Sequence, residues 1–163
     1  MHSPGTVADD IPLAVGQCRV RVINGQTGMV LPDAACTPGA IDPAVTQASI
    51  HSTICVSGYT ATIRPPASNT GKFKFRSLQQ YGMTYSTTVE YDHLVSLQLG
   101  GANSVSNLWP EPNSATAKGT NNPKDQLESR LNQAVCSGKV SLAAAQMAIA
   151  GNWTTALSTL GLG

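Results

Sequence analysis

Four cysteines constrain the fold of this chain more than any other feature, because disulfides between them would join segments that lie far apart in sequence. The cysteines are Cys18, Cys36, Cys55 and Cys136. No pair is spaced as CxxC and no histidine lies near enough for a zinc knuckle, so the spacing does not indicate structural zinc. Three disulfide connectivities are open. We favour Cys18–Cys36 with Cys55–Cys136, since closing the longer loop contributes ~4 kcal/mol in the chain-entropy model.

Cysteine usage and charge together indicate an oxidising compartment. Disulfides persist in secreted proteins, and charged residues make up only 12% of the chain, about half of the usual ~25%. The alternative is a cytosolic protein whose cysteines are buried thiols. The first residues lack a basic segment followed by an apolar one, so we expect a mature, secreted form without its signal peptide. No apolar stretch approaches the ~20 residues of a membrane span, so no membrane partner is expected.

The length and the net charge limit the class of protein. A chain of 163 residues predicts a single domain over residues 1–163, large enough for a substantial core. Residues 1–16 are expected to form a loose N-terminal arm. The formal net charge is only +1, which argues against a protein that binds polyanions through bulk electrostatics.

Turn signals and hydrophobic periodicity predict an α+β fold, with a small antiparallel sheet and surrounding helices. The Asn-Gly pair at 24–25 is typical of a hairpin turn. Predicted strands are 18–23, 29–31, 56–63, 87–94 and 108–109. Predicted helices are 43–50, 70–80, 123–136 and 141–150. The clearest helix begins at Asn122 and Pro123, a cap and a first-turn proline, and is expected to bury Leu127 and Leu131.

One segment in the second half of the chain carries the residues best suited to chemistry. Asp92 and His93 are adjacent at the end of a predicted strand, and a Gly-Gly pair at 100–101 and Asn107 follow them. A carboxylate is a hard oxygen ligand for a divalent cation, and an imidazole with a pKa near ~6.5 can deprotonate water at neutral pH. Neighbouring side chains of a strand face opposite sides, so the pair can share one site only if the strand ends there.

This series of residues resembles the HNH, or ββα-metal, nuclease superfamily. The matching segments are Asp-His-Leu at 92–94, Leu-Gly-Gly at 99–101, Asn-Leu-Trp-Pro-Glu-Pro at 107–112 and Lys-Asp at 124–125. The wider pattern is similar to that of small secreted bacterial proteins with this motif, over roughly residues 36–155. The resemblance implies an α+β domain with a ββα motif over residues 87–138.

The resemblance also implies roles for individual residues. The metal-binding carboxylate of the family corresponds to Asp92, its general base to His93, and the residue that braces the loop beside the base to Asn107. The next ligand of the family corresponds to Thr116, a poor donor, so we assign a second metal contact to Asn113. Asn121, Asn122, Asp125 and Glu128 stay open as alternatives. Mg²⁺ or Mn²⁺ is the expected cofactor, with Zn²⁺ or Ca²⁺ as alternatives.

Contacts to the phosphates of a substrate are assigned to two basic residues. Lys124 lies at the N-terminus of the clearest predicted helix, where free amides favour anions, and Arg64 precedes a Pro-Pro pair. For Lys124 the alternative is an ordinary i, i+4 pair with Glu128, worth ~0.3 kcal/mol. Glu90 shares a strand face with Asp92, as either a second ligand or an ordinary edge carboxylate.

These inferences predict a secreted, metal-dependent endonuclease that hydrolyses phosphodiester bonds with little sequence selectivity. The substrate is expected to be a nucleic acid, DNA in preference to RNA, and the protein is expected to act as a monomer. The alternative is a non-catalytic extracellular binding module on an HNH-like scaffold, which the poor ligand at Thr116 favours. A third interpretation is an exported toxin with a protein inhibitor.

Overall fold

The computed structural model describes residues 5–114 and 122–163, and within these ranges helices surround two separate two-stranded antiparallel sheets. The strands are β1 (Arg21–Asn24), β2 (Met29–Leu31), β3 (Val89–His93) and β4 (Leu108–Pro112). The α-helices are α1 (Tyr59–Ile63), α2 (Ala67–Gln80), α3 (Lys124–Cys136), α4 (Leu142–Asn152) and α5 (Ala156–Thr159). Short 3₁₀ turns cover Gln47–Ser52, Leu97–Leu99, Val105–Asn107 and Trp153–Thr155.

The predicted α+β class is confirmed, but the expected single sheet is wrong, because the two hairpins do not join. Among the described residues β1 pairs with β2, with Arg21 opposite Leu31, and β3 pairs with β4, with Val89 opposite Pro112. An isolated two-stranded sheet is marginal in water, so each hairpin depends on the helices and loops packed against it. None of the helices in the described ranges has the length and apolar character needed to cross a membrane.

Both favoured disulfides are confirmed. Cys18–Cys36 links positions 18 residues apart, and Cys55–Cys136 links positions 81 residues apart. The longer bridge joins the C-terminal end of α3 to the segment just before α1. Because both of these helices line the cavity described below, the bridge fixes one wall of that cavity relative to the other.

Helix α3 begins and ends close to the predicted positions. Oδ1 of Asn122 accepts a hydrogen bond at 3.0 Å from the backbone N–H of Lys124, the first residue of α3. Leu127 and Leu131 are buried on the face that enters the main core. This packing leaves the N-terminal turn of α3 against the end of β3, where the side chain of Lys124 meets the backbone of His93.

The strand predicted over 56–63 is wrong, because this segment contains helix α1. Gly58 adopts a φ of 83°, which turns the chain immediately before the helix and strains any residue with a Cβ. Tyr59 and Ile63, one helical turn apart, are both buried. The β-branched residues of this segment favour a strand locally, but burial of this i, i+4 face decides the outcome.

Strand β4 continues through two prolines that were expected to end it. Pro110 lies opposite Tyr91 and Pro112 lies opposite Val89. The prolines are two positions apart, so both of their nitrogens face away from β3, on the side where no ladder hydrogen bond is needed. The strand therefore extends far enough to place Glu111 opposite Glu90.

Residues 8–10 are fastened to the domain, whereas a loose arm was expected over residues 1–16, of which residues 1–4 lie outside the described ranges. The N–H of Ala8 donates to the carbonyl of Asn103, and the carbonyl of Ala8 accepts from the N–H of Val105, each at 2.9 Å. The carboxylate of Asp10 accepts from the N–H of Ser106 at 2.9 Å and also from its hydroxyl. These bonds attach residues 8–10 to the turn that precedes β4.

Candidate metal centre

Three carboxylates meet on one face of the β3–β4 hairpin. Glu90 and Asp92 alternate along β3, so their side chains share a face, and Glu111 lies opposite Glu90 on β4. Each of the three offers a ligand oxygen, and these oxygens lie within 4.8 Å of one another. Such convergence of hard oxygen donors is the arrangement that Mg²⁺, Mn²⁺ or Ca²⁺ prefers.

Glu111 is the member of this acidic trio that most strongly indicates a cation. Its side chain is 0% exposed, and neither carboxylate oxygen has a hydrogen-bond partner in the described part of the chain. Burial, followed by the charge of Asp92, raises the pKa of Glu111 well above its ordinary value. Since an unpartnered buried carboxylate is costly in its charged form, it can stay ionised here only beside a compensating positive charge. The residues therefore fit a bound divalent cation.

Glu90 forms the outer edge of the trio. Burial, and next the charge of Asp92, raises the pKa of Glu90 to about 7. Nδ2 of Asn122 donates to Oε2 of Glu90 at 2.9 Å and approaches Oδ1 of Asn113 at 3.3 Å. Asn113, the predicted second metal contact, therefore lies next to the trio through Asn122. Its role as a ligand stays a prediction.

Lys124 lies inside the site, which corrects the predicted contact between this residue and a substrate phosphate. The side chain is 0% exposed, and its Nζ lies 2.8 Å from Oδ2 of Asp92 and 2.9 Å from Oε1 of Glu128. Nζ also donates to the carbonyl of His93 at 2.9 Å. The two carboxylates raise the pKa of Lys124 despite its burial. With its ammonium surrounded in this way, Lys124 has no surface to offer a phosphate.

His93 and Asp92 line the same cavity, as the adjacent pair must if they serve one site. His93 is the last residue of β3, so the chain leaves the strand there and the usual alternation of faces ends. The cavity has a volume of about 310 Å³. Its other charged lining residues are Arg64, Glu90, Asp125 and Glu128.

A hydrogen-bond chain fixes the tautomer of His93. Nε2 of His93 lies 2.8 Å from Oδ1 of Asn103. The amide of Asn103 is oriented by its Nδ2, which donates to the carbonyl of Ile63 at 2.7 Å. Oδ1 of Asn103 must then act as an acceptor, so the proton of the neutral imidazole resides on Nε2 and the lone pair on Nδ1.

The environment of His93 keeps the imidazole neutral at physiological pH. Burial lowers the pKa of His93 to about 4, against smaller raising effects of the hydrogen bond that the ring donates to Asn103 and of the charge of Asp92. Arg64 and Lys124 add a further lowering effect. A neutral imidazole with a free lone pair can accept a proton, which is what a general base requires.

Asn107 braces the loop between β3 and β4. Its Oδ1 accepts from the N–H of Val95, and its Nδ2 donates to the carbonyls of Val95 and Ala102, all at 2.9 Å. The loop passes so close to itself that a Cβ on Gly101 would lie 1.6 Å from the carbonyl oxygen of Val95. Val95 lies two residues after His93, beyond the end of β3. The side-chain amide of Asn107 therefore supplies the backbone of Val95 with the hydrogen bonds that a partner strand would otherwise make.

Two residues of this site were missed by the sequence analysis, and one was assigned only as an alternative. Glu111 is separated from the Asp-His pair by the loop, and the flanking prolines obscured the strand that carries it. Asn103 has no local signal, because its role depends on a contact with Ile63, 40 positions earlier. Glu90 was recognised by its alternation with Asp92. Arg64 does line the cavity, as a phosphate contact requires, whereas Thr116 and Asn121 lie outside the described residues.

Comparison with known proteins identifies no relative. No family model, no curated protein and no solved structure matches the chain. The resemblance to the HNH superfamily, including the assignment of β3, β4 and α3 as a ββα motif, therefore stays a prediction.

Proposed function

We propose that the protein is a metal-dependent endonuclease that hydrolyses phosphodiester bonds. The observation that carries the proposal is the buried, unpartnered carboxylate of Glu111 beside Glu90 and Asp92, in a site whose cavity is also lined by a neutral histidine. Oxygen donors next to a general base are the two elements that metal-assisted hydrolysis requires.

The acidic trio would hold Mg²⁺ or Mn²⁺ in preference to Zn²⁺, because all of its donors are oxygens. When bound, the cation supplies Lewis-acid stabilisation of the negative charge on the phosphate oxygens. The chain's own task is to keep the oxygens of Glu90, Asp92 and Glu111 converged. Strand pairing does this, since it fixes Glu90 opposite Glu111.

His93 acts in this proposal as the general base. The Nδ1 lone pair accepts a proton from a water molecule as the water oxygen bonds to phosphorus. The P–O bond to the leaving oxygen then breaks, and that oxygen takes up a proton to give an alcohol and a phosphate monoester. Arg64 is the cationic residue with an exposed side chain on the cavity wall, and its guanidinium suits a phosphate oxygen.

Polar residues dominate the cavity wall, which supports cleavage with little base selectivity. Leu97 is the only apolar residue among the described residues that line the cavity. A wall without phenylalanine, tyrosine or tryptophan offers little surface for base stacking, so recognition falls on the phosphates and sugars. We further propose that the protein acts outside the cell, on DNA in preference to RNA, since its two disulfides are consistent with an oxidising environment.

A cleavage assay tests the proposal. Purified protein is incubated with supercoiled plasmid and with a single-stranded oligonucleotide, in Mg²⁺, in Mn²⁺ and with a chelator. Cleavage is expected with either cation and should be lost with chelator. The rate of cleavage should fall at least 100-fold in His93→Ala. The matched control is His51→Ala, because His51 is exposed and lies outside the cavity. Equal activity of the two histidine variants would exclude His93 as the base.

The second candidate is a non-catalytic extracellular binding module. The buried ion pairs of Lys124 favour it, because they already neutralise part of the acidic site without a bound cation. In that case the protein would cleave no nucleic acid in Mg²⁺ or Mn²⁺, although it is folded by circular dichroism. Metal-dependent cleavage that His93→Ala abolishes would exclude the module.

A further inference from the structure

The acidic site contains more negative charge than a divalent cation alone requires. Five carboxylates lie around the end of β3 and the start of α3, namely Glu90, Asp92, Glu111, Asp125 and Glu128. Burial and mutual repulsion raise the pKa of several of them, with Glu128 shifted to about 7. Without a positive charge inside the cluster, these groups would have to take up protons or force the hairpin and helix apart.

Lys124 supplies that positive charge from within. Its ammonium lies within 2.9 Å of three oxygens, one on a carboxylate of β3, one on a carboxylate of α3 and one on the last carbonyl of β3. These contacts bridge Asp92, Glu128 and His93 across the boundary between strand and helix. Arg64 is the cation on the cavity wall; it is exposed, and within the described ranges it is not a partner of either carboxylate.

We propose that Lys124 is a resident counter-ion of the metal site, a role that rests on the proposed function for its catalytic consequence. Its Nζ lies 2.8 Å from Oδ2 of Asp92, one of the carboxylates of the trio, so it offsets part of the negative charge that an incoming cation meets. The same ammonium donates to the carbonyl of His93, so it also ties the end of β3 to α3.

If Lys124 acts through its charge, the loss of stability in a Lys124 variant should come from the buried carboxylates that no longer have a positive partner. In chelator, Lys124→Met is expected to lower Tm by about 10 °C, because it leaves buried charges without a partner. Adding Glu128→Gln to this variant removes one of those charges and is expected to restore at least a third of the lost Tm. Lys139→Met, at an exposed position, serves as the control and is expected to change Tm little.

Circular dichroism melts of the single and double variants in chelator test this role without any metal or activity. Recovery of Tm in Lys124→Met/Glu128→Gln supports the counter-ion. A double variant that melts at or below the temperature of Lys124→Met overturns it, because the lysine would then stabilise the fold only through packing and hydrogen bonds. If Lys124→Met does not fold in chelator, a folded double variant counts as recovery and an unfolded one overturns the proposal.

A titration with Mn²⁺, followed by electron paramagnetic resonance, tests the link to the metal site. Removing a positive charge beside the acidic trio is expected to tighten Mn²⁺ binding by Lys124→Met at least about tenfold, and Mn²⁺ should raise its Tm more than that of the wild type. Weaker or unchanged binding by the variant overturns this link. If the wild type itself binds no Mn²⁺, the proposed function fails, whereas the melts in chelator still decide the counter-ion role.

Discussion

Nε2 of His93 and Oδ1 of Asn103 lie 2.8 Å apart, and this single contact decides which nitrogen of the imidazole carries its proton. The orientation of the Asn103 amide is set in turn by the carbonyl of Ile63, at the end of α1. The base is therefore prepared by a residue ten positions further along the chain and by a helix 30 positions before it. Such partners hold a reacting group in its productive tautomer.

Removing the partner of the imidazole should impair catalysis and leave metal binding intact. We expect Asn103→Ala to lower kcat by about 10-fold to 100-fold, because the imidazole loses its orientation and its fixed tautomer. Mn²⁺ affinity should stay within about twofold of the wild type, since the contacts of Asn103 to His93 and to the carbonyl of Ile63 act on the imidazole and not on a ligand oxygen. Cleavage kinetics and a Mn²⁺ titration on the same preparation measure both. A loss of Mn²⁺ affinity as large as the loss of kcat would show that Asn103 supports the whole site and not the imidazole alone.

Neutralising Glu111 should separate metal binding from stability. We expect Glu111→Gln to weaken Mn²⁺ binding at least tenfold, because a ligand oxygen with full negative charge is lost. In chelator its Tm should not fall, since the wild-type carboxylate has no hydrogen bond to lose within residues 5–114 and 122–163. Isothermal titration with Mn²⁺ and a melt in chelator check the two statements. Wild-type affinity in this variant would remove Glu111 from the metal site.

The two disulfides should contribute unequally. In the chain-entropy model, loops of 18 and 81 residues correspond to about 3 and about 4.5 kcal/mol. We therefore expect Cys55→Ser/Cys136→Ser to lower the free energy of unfolding more than Cys18→Ser/Cys36→Ser does. Urea denaturation of both double variants gives the comparison, and each variant serves as the control for the other. The opposite order would show that strain or packing, and not loop closure, dominates.

A methyl group on Gly101 should disrupt the loop that Asn107 braces. Its Cβ would lie 1.6 Å from the carbonyl oxygen of Val95, a backbone atom that cannot move away cheaply. We expect Gly101→Ala to unfold or to lose more than about 3 kcal/mol of stability. Gly71→Ala is the control, because Gly71 lies in α2 with open space around its Cβ, and this change should stabilise by about 0.5–1 kcal/mol. Soluble yield and urea midpoints compare the two.

The hydroxyl of Tyr81 should make stability fall at alkaline pH. Burial raises the pKa of Tyr81 to about 12, above the ordinary value of about 10 in the unfolded chain. The folded state therefore keeps a proton that the unfolded state loses, so the free energy of unfolding declines as the pH rises from about 10 through 12.

Tyr81→Phe tests this pH dependence. At neutral pH the variant should be less stable, because the hydroxyl lies 2.7 Å from Oγ1 of Thr37 and accepts from the N–H of Asp33. The difference from the wild type should shrink above about pH 10, since phenylalanine has no proton to lose. Urea midpoints at neutral pH and near pH 11 measure it. A stability difference between the variant and the wild type that is the same at both pH values would contradict the raised pKa of Tyr81.

Local signals sufficed for some parts of this molecule and failed for others, for physical reasons. The Asn122-Pro123 pair predicts the start of α3 because helix capping depends only on neighbouring residues. The predicted i, i+4 pair of Lys124 and Glu128 is present, because it depends only on spacing along the helix. The phosphate contact assigned to Lys124 does not fit its burial, which depends on where β3 meets that helix. Glu111 escaped notice because a strand containing prolines can be recognised only once its partner strand is known.

The attachment of Ala8 to Asn103 links the front of the chain to the imidazole at its centre. The residues around Ala8 look dispensable in the sequence, but their hydrogen bonds hold the turn that contains Asn103, the residue that orients His93. Trimming the chain past Ala8, or joining a bulky fusion partner there, would act on the chemistry of the cavity without touching any residue that lines it.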